Sequence, residues 1–163
     1  MEYIYIGKIV NTHGIKGEIK VISEFEYKDY VFKSGNYIYI GNKYEKEKIV
    51  TYRHHKIYDM ITLEGYNNIN QVLKFKNNKV YIKREEILGL SDKILKSDII
   101  EMDAFIENEK IGIVVDIYKT GINYEIIEVK NDKNKKILIP YHKDFIKCID
   151  IKNKKIIFNG GML

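Results

Sequence analysis

Tyr3-Ile4-Tyr5-Ile6-Gly7-Lys8-Ile9-Val10 and Glu18-Ile19-Lys20-Val21-Ile22 both alternate with period two, and the loop between them carries Gly14 and Gly17. Alternation at that period puts one set of side chains on each face of an extended chain, so two strands joined by a glycine-bearing loop are expected. The same signal recurs at 37–40, 47–53, 58–63 and 79–83, separated by Ser34-Gly35-Asn36, Gly41-Asn42 and Asn77-Asn78. Six short strands in about 85 residues, at the spacing of small barrels and sandwiches, predict a closed or nearly closed β unit. One stretch departs from the pattern. Ile69, Val72, Leu73 and Phe75 fall close to helical spacing, and Asn67 or Asn68 precedes them as a capping residue, which predicts a short helix across an open barrel end.

Beyond Glu86 the alternation lapses through Ile87–Asp92, then resumes at 98–106, 111–118, 124–130, 136–139 and 155–158. Pro140 and Tyr141-His142-Lys143-Asp144 mark a loop or single helical turn before Phe145–Ile149. The expected organisation is therefore a first β unit over 1–86, a linker over 87–97 and a second β unit over 98–163. The composition agrees, with one Ala beside 31 Ile, 9 Val and 14 Tyr in 163 residues. β-Branched and aromatic residues suit a pleated surface, although 26 Lys with only two Arg is also the mark of an AT-rich genome. The formal charge of +5 divides unevenly: residues 1–87 hold 15 basic and 11 acidic side chains, and 88–163 hold 13 and 12.

Several function classes fall away. No run approaches the ~18 to 20 uncharged apolar residues that span a bilayer, and Met1-Glu2-Tyr3 does not open a signal peptide, so a cytoplasmic protein without membrane contact is expected. A lone Cys148 fits a reducing compartment. It lies in Phe145-Ile146-Lys147-Cys148-Ile149, where a free cysteine is more readily a small buried hydrophobe than a nucleophile, and His142 is the sole nearby base. His54 and His55 are adjacent, so on a strand they face opposite ways and cannot share one ion. No phosphate-cradling glycine loop runs into a helix. No catalytic residue, metal or cofactor is assigned.

Binding signals are more substantial. The loop Asn11–Glu18 sets His13 and Lys16 among Gly14 and Gly17, suited to close contact with phosphate or sugar, and Tyr52-Arg53-His54-His55-Lys56 is a basic and aromatic strip of the kind RNA-facing surfaces use. Each has a plain structural reading as well, a turning loop and a solvated strand face. An alternative from another class is a barrel enzyme holding a small molecule or flavin near His13 or His54.

Ile9-Val10-Asn11-Thr12-His13-Gly14-Ile15-Lys16-Gly17-Glu18-Ile19-Lys20-Val21 resembles the N-terminal signature of the RimM family of ribosome maturation factors. Tyr52–Lys56 followed by Leu63-Glu64-Gly65-Tyr66-Asn67 is similar to that family's strand, turn and helix entry. Ile111–Ile117, Thr120-Gly121-Ile122-Asn123, Ile137-Leu138-Ile139-Pro140 and Gly161-Met162-Leu163 resemble its PRC barrel. The resemblance implies an all-β protein of two small barrels: an N-terminal six-stranded barrel like those of translation factors and reductases, and a C-terminal PRC barrel. It also implies a non-enzymatic, monomeric factor. Such a factor binds the free or immature 30S subunit at its head, touching a head ribosomal protein (small-subunit protein nineteen) and nearby 16S rRNA. Carried over, His13, Gly14, Lys16, Gly17, Arg53, His54 and Lys56 become candidate RNA or ribosome contacts. Ile94, Leu95, Lys96 and Asp98 become candidate protein contacts, with Ile94-Leu95 standing where the family usually has Tyr-Tyr. The family's Gly-Ala-Asn-Asp run is here Gly121-Ile122-Asn123-Tyr124.

Overall fold

The computed structural model describes residues 2–121 and 124–162, and the chain divides into two compact units, Met1–Lys93 and Ile94–Leu163. Ile122 and Asn123, where the sequence departs from the family's hairpin, lie outside the described residues.

The first unit holds six strands: β1 (Tyr3–His13), β2 (Glu18–Ile22), β3 (Tyr37–Ile40), β4 (Glu45–His55), β5 (Tyr58–Leu63) and β6 (Lys79–Lys83). They form a closed barrel in the order β1-β2-β5-β4-β3-β6, every pairing antiparallel, with β6 returning to β1. Closure removes the unpaired edges that an open sheet of this size would expose. Alternation decides what fills the interior. Ile4, Ile6 and Ile9 of β1, Ile19 and Val21 of β2, Ile38 and Ile40 of β3, Ile61 and Leu63 of β5 and Val80 and Ile82 of β6 supply inward side chains, nearly all excluded from solvent. Each such burial is worth roughly 1.5–3 kcal/mol relative to exposure.

Two short helices cover the ends. In α1 (Lys28–Val31), Val31 is buried, and the neighbouring Phe32 ring stacks on Tyr52 at 5.8 Å between centroids. The expected helix is α2 (Ile69–Val72), continued by a 3-10 turn over Leu73–Phe75. It is capped by Asn68, whose Oδ1 accepts from the Gln71 N–H at 3.3 Å while Gln71 Oε1 accepts from the Asn68 N–H at 3.3 Å. Both capping bonds satisfy donors that a helix start leaves open. Val72 and Phe75 are the buried residues of this segment.

The second unit is a six-stranded sheet of β7 (Asp103–Ile106), β8 (Glu109–Lys119), β9 (Glu125–Lys130), β10 (Lys136–Pro140), β11 (Ile146–Asp150) and β12 (Lys155–Phe158), in the order β10-β9-β8-β7-β12-β11. Only β12 and β7 run parallel. Its own core gathers Ile99, Met102, Ala104, Val114, Ile127, Val129, Ile139, Ile156 and Phe158.

Two expectations need correction here. The strand expected over 98–106 begins only at Asp103, because Lys96–Ile99 forms a helical turn, α3, whose Asp98 carboxylate accepts from the Leu95 N–H at 2.7 Å. Glu101, at φ +77°, then turns the chain into β7. Cys148 sits in a strand as expected but is exposed, not buried. β11 is the last strand in the sheet order, and a register shift between Ile146 and Cys148 breaks the alternation that would have turned the thiol inward.

Candidate functional site

The residues singled out in the first half converge on the outer wall of the barrel. The β1–β2 loop is tied down on one side only. Ile69 donates its N–H to the Ile15 carbonyl at 3.0 Å, and a Cβ on Gly17 would stand 3.0 Å from the Tyr66 carbonyl oxygen, so this approach to the 66–69 segment leaves no room for a side chain. The tip itself projects: Ile15 is 75% exposed, and Lys16 is exposed beside it.

Behind that tip, β2 and β4 set an ion pair across the wall. Arg53 Nε and Nη2 each donate to the Glu18 carboxylate at 2.8 Å, the two-pronged geometry that suits a guanidinium. This pairing holds the Glu18 carboxyl below its usual range, against the opposing effect of partial burial, with the positive charge of Arg53 and of His13 and His55 adding to it. The His13 ring lies 6.2 Å from the His55 ring, and Lys20 Nζ stands 4.8 Å over the Tyr58 ring. Partial desolvation, then the neighbouring cations Arg53, Lys56, His13 and Lys20, lower the His55 pKa below 6.5. The Glu18 carboxylate acts on Arg53, His13 and His55, and both of its oxygens are already committed to Arg53. The remaining positive charge is available to an anion.

The local sequence explains which side chains arrive. In β4, Arg53 and His55 share the outer face, whereas Tyr52 and His54 turn inward. The inward pair meets Asp59, which is fully buried and accepts from Tyr52 Oη at 2.7 Å and Lys28 Nζ at 3.1 Å, with His54 Nδ1 at 3.4 Å. Burial, then the Asp59 hydrogen bond, drives the Tyr52 phenol well above 10. Of the expected contacts, the structure brings His13, Lys16 and Arg53 to one face and places Lys56 at the adjoining β4–β5 turn, at φ +55°. His54 belongs to the Asp59 network instead. Its neighbour His55, named in the Tyr52–Lys56 strip but not among the carried-over contacts, and Lys20 on β2 join the outer cluster. The period-two rule applied outward from Arg53 was the signal that could have found His55.

In the second unit the four expected residues separate. Leu95 is fully buried, Lys96 pairs with Glu125, and Asp98 holds the start of α3. Ile94 lines an open apolar groove of about 360 Å³ with Tyr141, Ile146 and Cys148.

Residues 4–87 match the family model described as the RimM N-terminal domain, and residues 96–161 match the RimM PRC barrel domain. The chain belongs to the RimM family. Proteins named "Ribosome maturation factor RimM" are similar to it along nearly their whole length. The one from Ligilactobacillus salivarius is 40% identical over 161 residues, covering 96% of this chain and 95% of its own. Those from Exiguobacterium sp. and Staphylococcus haemolyticus are 34% and 40% identical, covering 96% and 94% of this chain and 93% of their own lengths in both cases. A crystal structure of a RimM protein from Pseudomonas aeruginosa is 20% identical over 97% of both chains, with a TM-score of 0.48. The N-terminal match holds the basic wall, and the PRC match starts at Lys96, the first residue of α3, leaving Ile94 and Leu95 outside it.

The low His55 pKa leads to a measurable expectation. An imidazole whose pKa is depressed in the folded protein has its charged form disfavoured by its surroundings, so Arg53→Ala, which removes one cation and frees the Glu18 carboxylate, should move the His55 pKa up towards its ordinary value. Proton titration of the imidazole resonances by NMR reads this directly, and an unchanged or lowered value would contradict the cluster described above.

Proposed function

We propose that this chain is a ribosome maturation factor that binds the free or immature 30S subunit at its head and assists assembly and 16S rRNA processing by binding, without catalysis. The basic wall formed by His13, Lys20, Arg53, His55 and Lys56 carries the reading, because Glu18 is already bonded to Arg53 and the charge of Lys20 and Lys56 beside it is suited to phosphate. Lys16 and the backbone of Gly14 and Gly17 extend it at the projecting loop. In the second unit, the groove beside Ile94 supplies an apolar contact for a head ribosomal protein such as small-subunit protein nineteen. Full-length family membership supports the ribosomal target and a cytoplasmic setting, and a monomeric factor is part of the proposal. Among the described residues no helix is long and apolar enough to cross a membrane.

Such a factor acts by differential affinity. It must hold the unfinished head more tightly than the finished one, since equal affinity for both would move no equilibrium. Co-sedimentation should therefore place the protein on free or immature 30S particles and not on assembled ribosomes, and the reverse distribution would overturn the proposal. The double variant Lys16→Glu/Lys56→Glu removes two phosphate-facing charges that make no ion pair among the described residues. It should weaken 30S binding roughly 10- to 100-fold at moderate salt and flatten the salt dependence by about two units of slope. Unaltered binding would mean that the wall does not face RNA.

A further inference from the structure

The opposite portion of the barrel wall has a composition that the cationic cluster does not explain. Tyr3 and Tyr5 on β1, Tyr81 on β6, Tyr37 and Tyr39 on β3 and Tyr44 at the β3–β4 turn all stand on the outer face, since their strand neighbours Ile4, Val80, Ile82, Ile38 and Ile40 fill the interior. Tyr3 stacks on Tyr44 with 3.9 Å between centroids and 5° between planes. Tyr81 meets Tyr44 edge-on at 5.0 Å and Tyr5 at 6.0 Å, while Tyr3 meets Tyr39 at 5.1 Å. Tyr3, Tyr5, Tyr39, Tyr44 and Tyr81 form one connected group of rings, with Tyr39 buried at 3% exposure and Tyr37 joined to it through Lys46, which lies over both rings; the group is open to solvent at Tyr5 (53% exposed), Tyr44 (38%) and Tyr37 (36%).

Lysines are interleaved with the rings. Lys83 Nζ lies 5.1 Å from Tyr3 and 5.0 Å from Tyr39, Lys46 Nζ lies 4.4 Å from Tyr37, and Lys79 Nζ lies 5.8 Å from Tyr5. Of the acidic groups near Tyr39, Glu86 accepts from the Tyr39 hydroxyl at 2.7 Å and pairs with Lys46 at 3.5 Å, and Glu85 adds negative charge nearby.

We propose that this wall, in the order β4-β3-β6-β1, is a stacking platform for unpaired RNA bases. Open ring faces and edges give bases a surface to stack on, and ammonium groups within 4–6 Å of the rings can follow the phosphates of the same strand. A protein partner fits less well, because lysine is depleted at the centre of protein interfaces whereas here it is interleaved throughout. The platform rests on the proposed RNA-facing role only for the class of ligand. It is a separate surface, and it selects single strands because paired bases have their faces already covered.

The test uses the full-length protein and a fluorescein-labelled oligoadenylate of about twelve nucleotides, read by anisotropy, with the same strand annealed to its complement as competitor. Tyr5→Ala and Tyr37→Ala should each weaken single-strand binding about fivefold or more. Tyr5→Phe and Tyr37→Phe, which keep the ring, should stay within about twofold of the parent. The duplex should compete poorly. Thermal melts of the same variants separate lost binding from lost folding, and the single-strand against duplex competition with the parent carries the test if the alanine variants unfold. Folded alanine variants that bind as the parent does, a duplex that competes equally, or a parent that binds no single strand would each overturn the platform. If these results occur while Lys16→Glu/Lys56→Glu still abolishes 30S binding, the platform alone fails. If the 30S result fails while the tyrosine dependence holds, the platform stands without the ribosomal reading.

Discussion

Replacing Gly112 with alanine is expected to unfold or severely loosen the second unit while leaving the first unit folded. Gly112 lies in β8 at φ +152°, a conformation that side-chain-bearing residues rarely adopt. A Cβ placed there would sit 2.3 Å from the Lys130 carbonyl oxygen and 2.8 Å from both the Lys130 carbonyl carbon and Val129 Cγ1. Those atoms cannot yield cheaply. Lys130 is on β9, paired on one side with Ile113 of β8 and on the other with Lys136 of β10, so moving it would disturb two ladders at once. Overpacking and backbone strain each cost about 1–3 kcal/mol, and together roughly 2–6 kcal/mol. A unit of this size has on the order of 4–10 kcal/mol in total, so at the middle of both ranges the loss takes about half of it. The corresponding fall in Tm is at least ~8 °C. Amide spectra should show the signals of Ile94–Leu163 collapsing and those of Met1–Lys93 retained, because each unit has its own core. A melting temperature within a few degrees of the parent would sink this expectation.

The strands were legible in the sequence for a simple reason. In β2, β3, β5 and β6 the apolar set recurs every second residue and one face must be buried, so register and boundaries follow from the same pattern. The misses came where a single residue overrode that pattern. Asp98 closes a helical turn within a run of isoleucines that otherwise reads as extended, and the irregular pairing at Ile146–Cys148 exposes a thiol that strict alternation would bury. The candidate site was half legible. The loop at 13–17 and the strip at 52–56 stand out by residue type, but His55 and Lys20 enter the cluster only because β2, β5 and β4 lie side by side in the barrel. The tyrosine wall was invisible for a related reason. Its rings come from β1, β3, β6 and a turn, far apart in sequence, and only barrel closure makes them neighbours.

Asp59→Ala should lower the stability of the first unit by about 2–4 kcal/mol. The Asp59 carboxylate is fully buried at the inward face of β5, where it accepts from Tyr52 and Lys28 and lies near His54. Removing one partner of a buried, hydrogen-bonded ion pair costs roughly 3–5 kcal/mol, because the other members keep their desolvation without their bonds. Here Lys28 is 30% exposed and His54 55% exposed, so both can turn to water, which reduces the loss. The Tyr52 hydroxyl, stacked beneath Phe32, cannot do so. At ~4–8 °C per kcal/mol for a unit of this size, the melting temperature should fall by roughly 8–32 °C, with Asp59→Asn falling less because its amide oxygen still accepts from Tyr52. Binding should respond differently. His13, Lys20, Arg53 and His55 stand on the opposite face of the same wall and share no partner with Asp59, so the folded variant should bind 30S particles within about threefold of the parent. Lys16→Glu/Lys56→Glu should show the converse, weak binding at an unchanged melting temperature. A variant at Asp59 that melts normally yet no longer binds would show that the inward network, and with it His54, belongs to the contact surface.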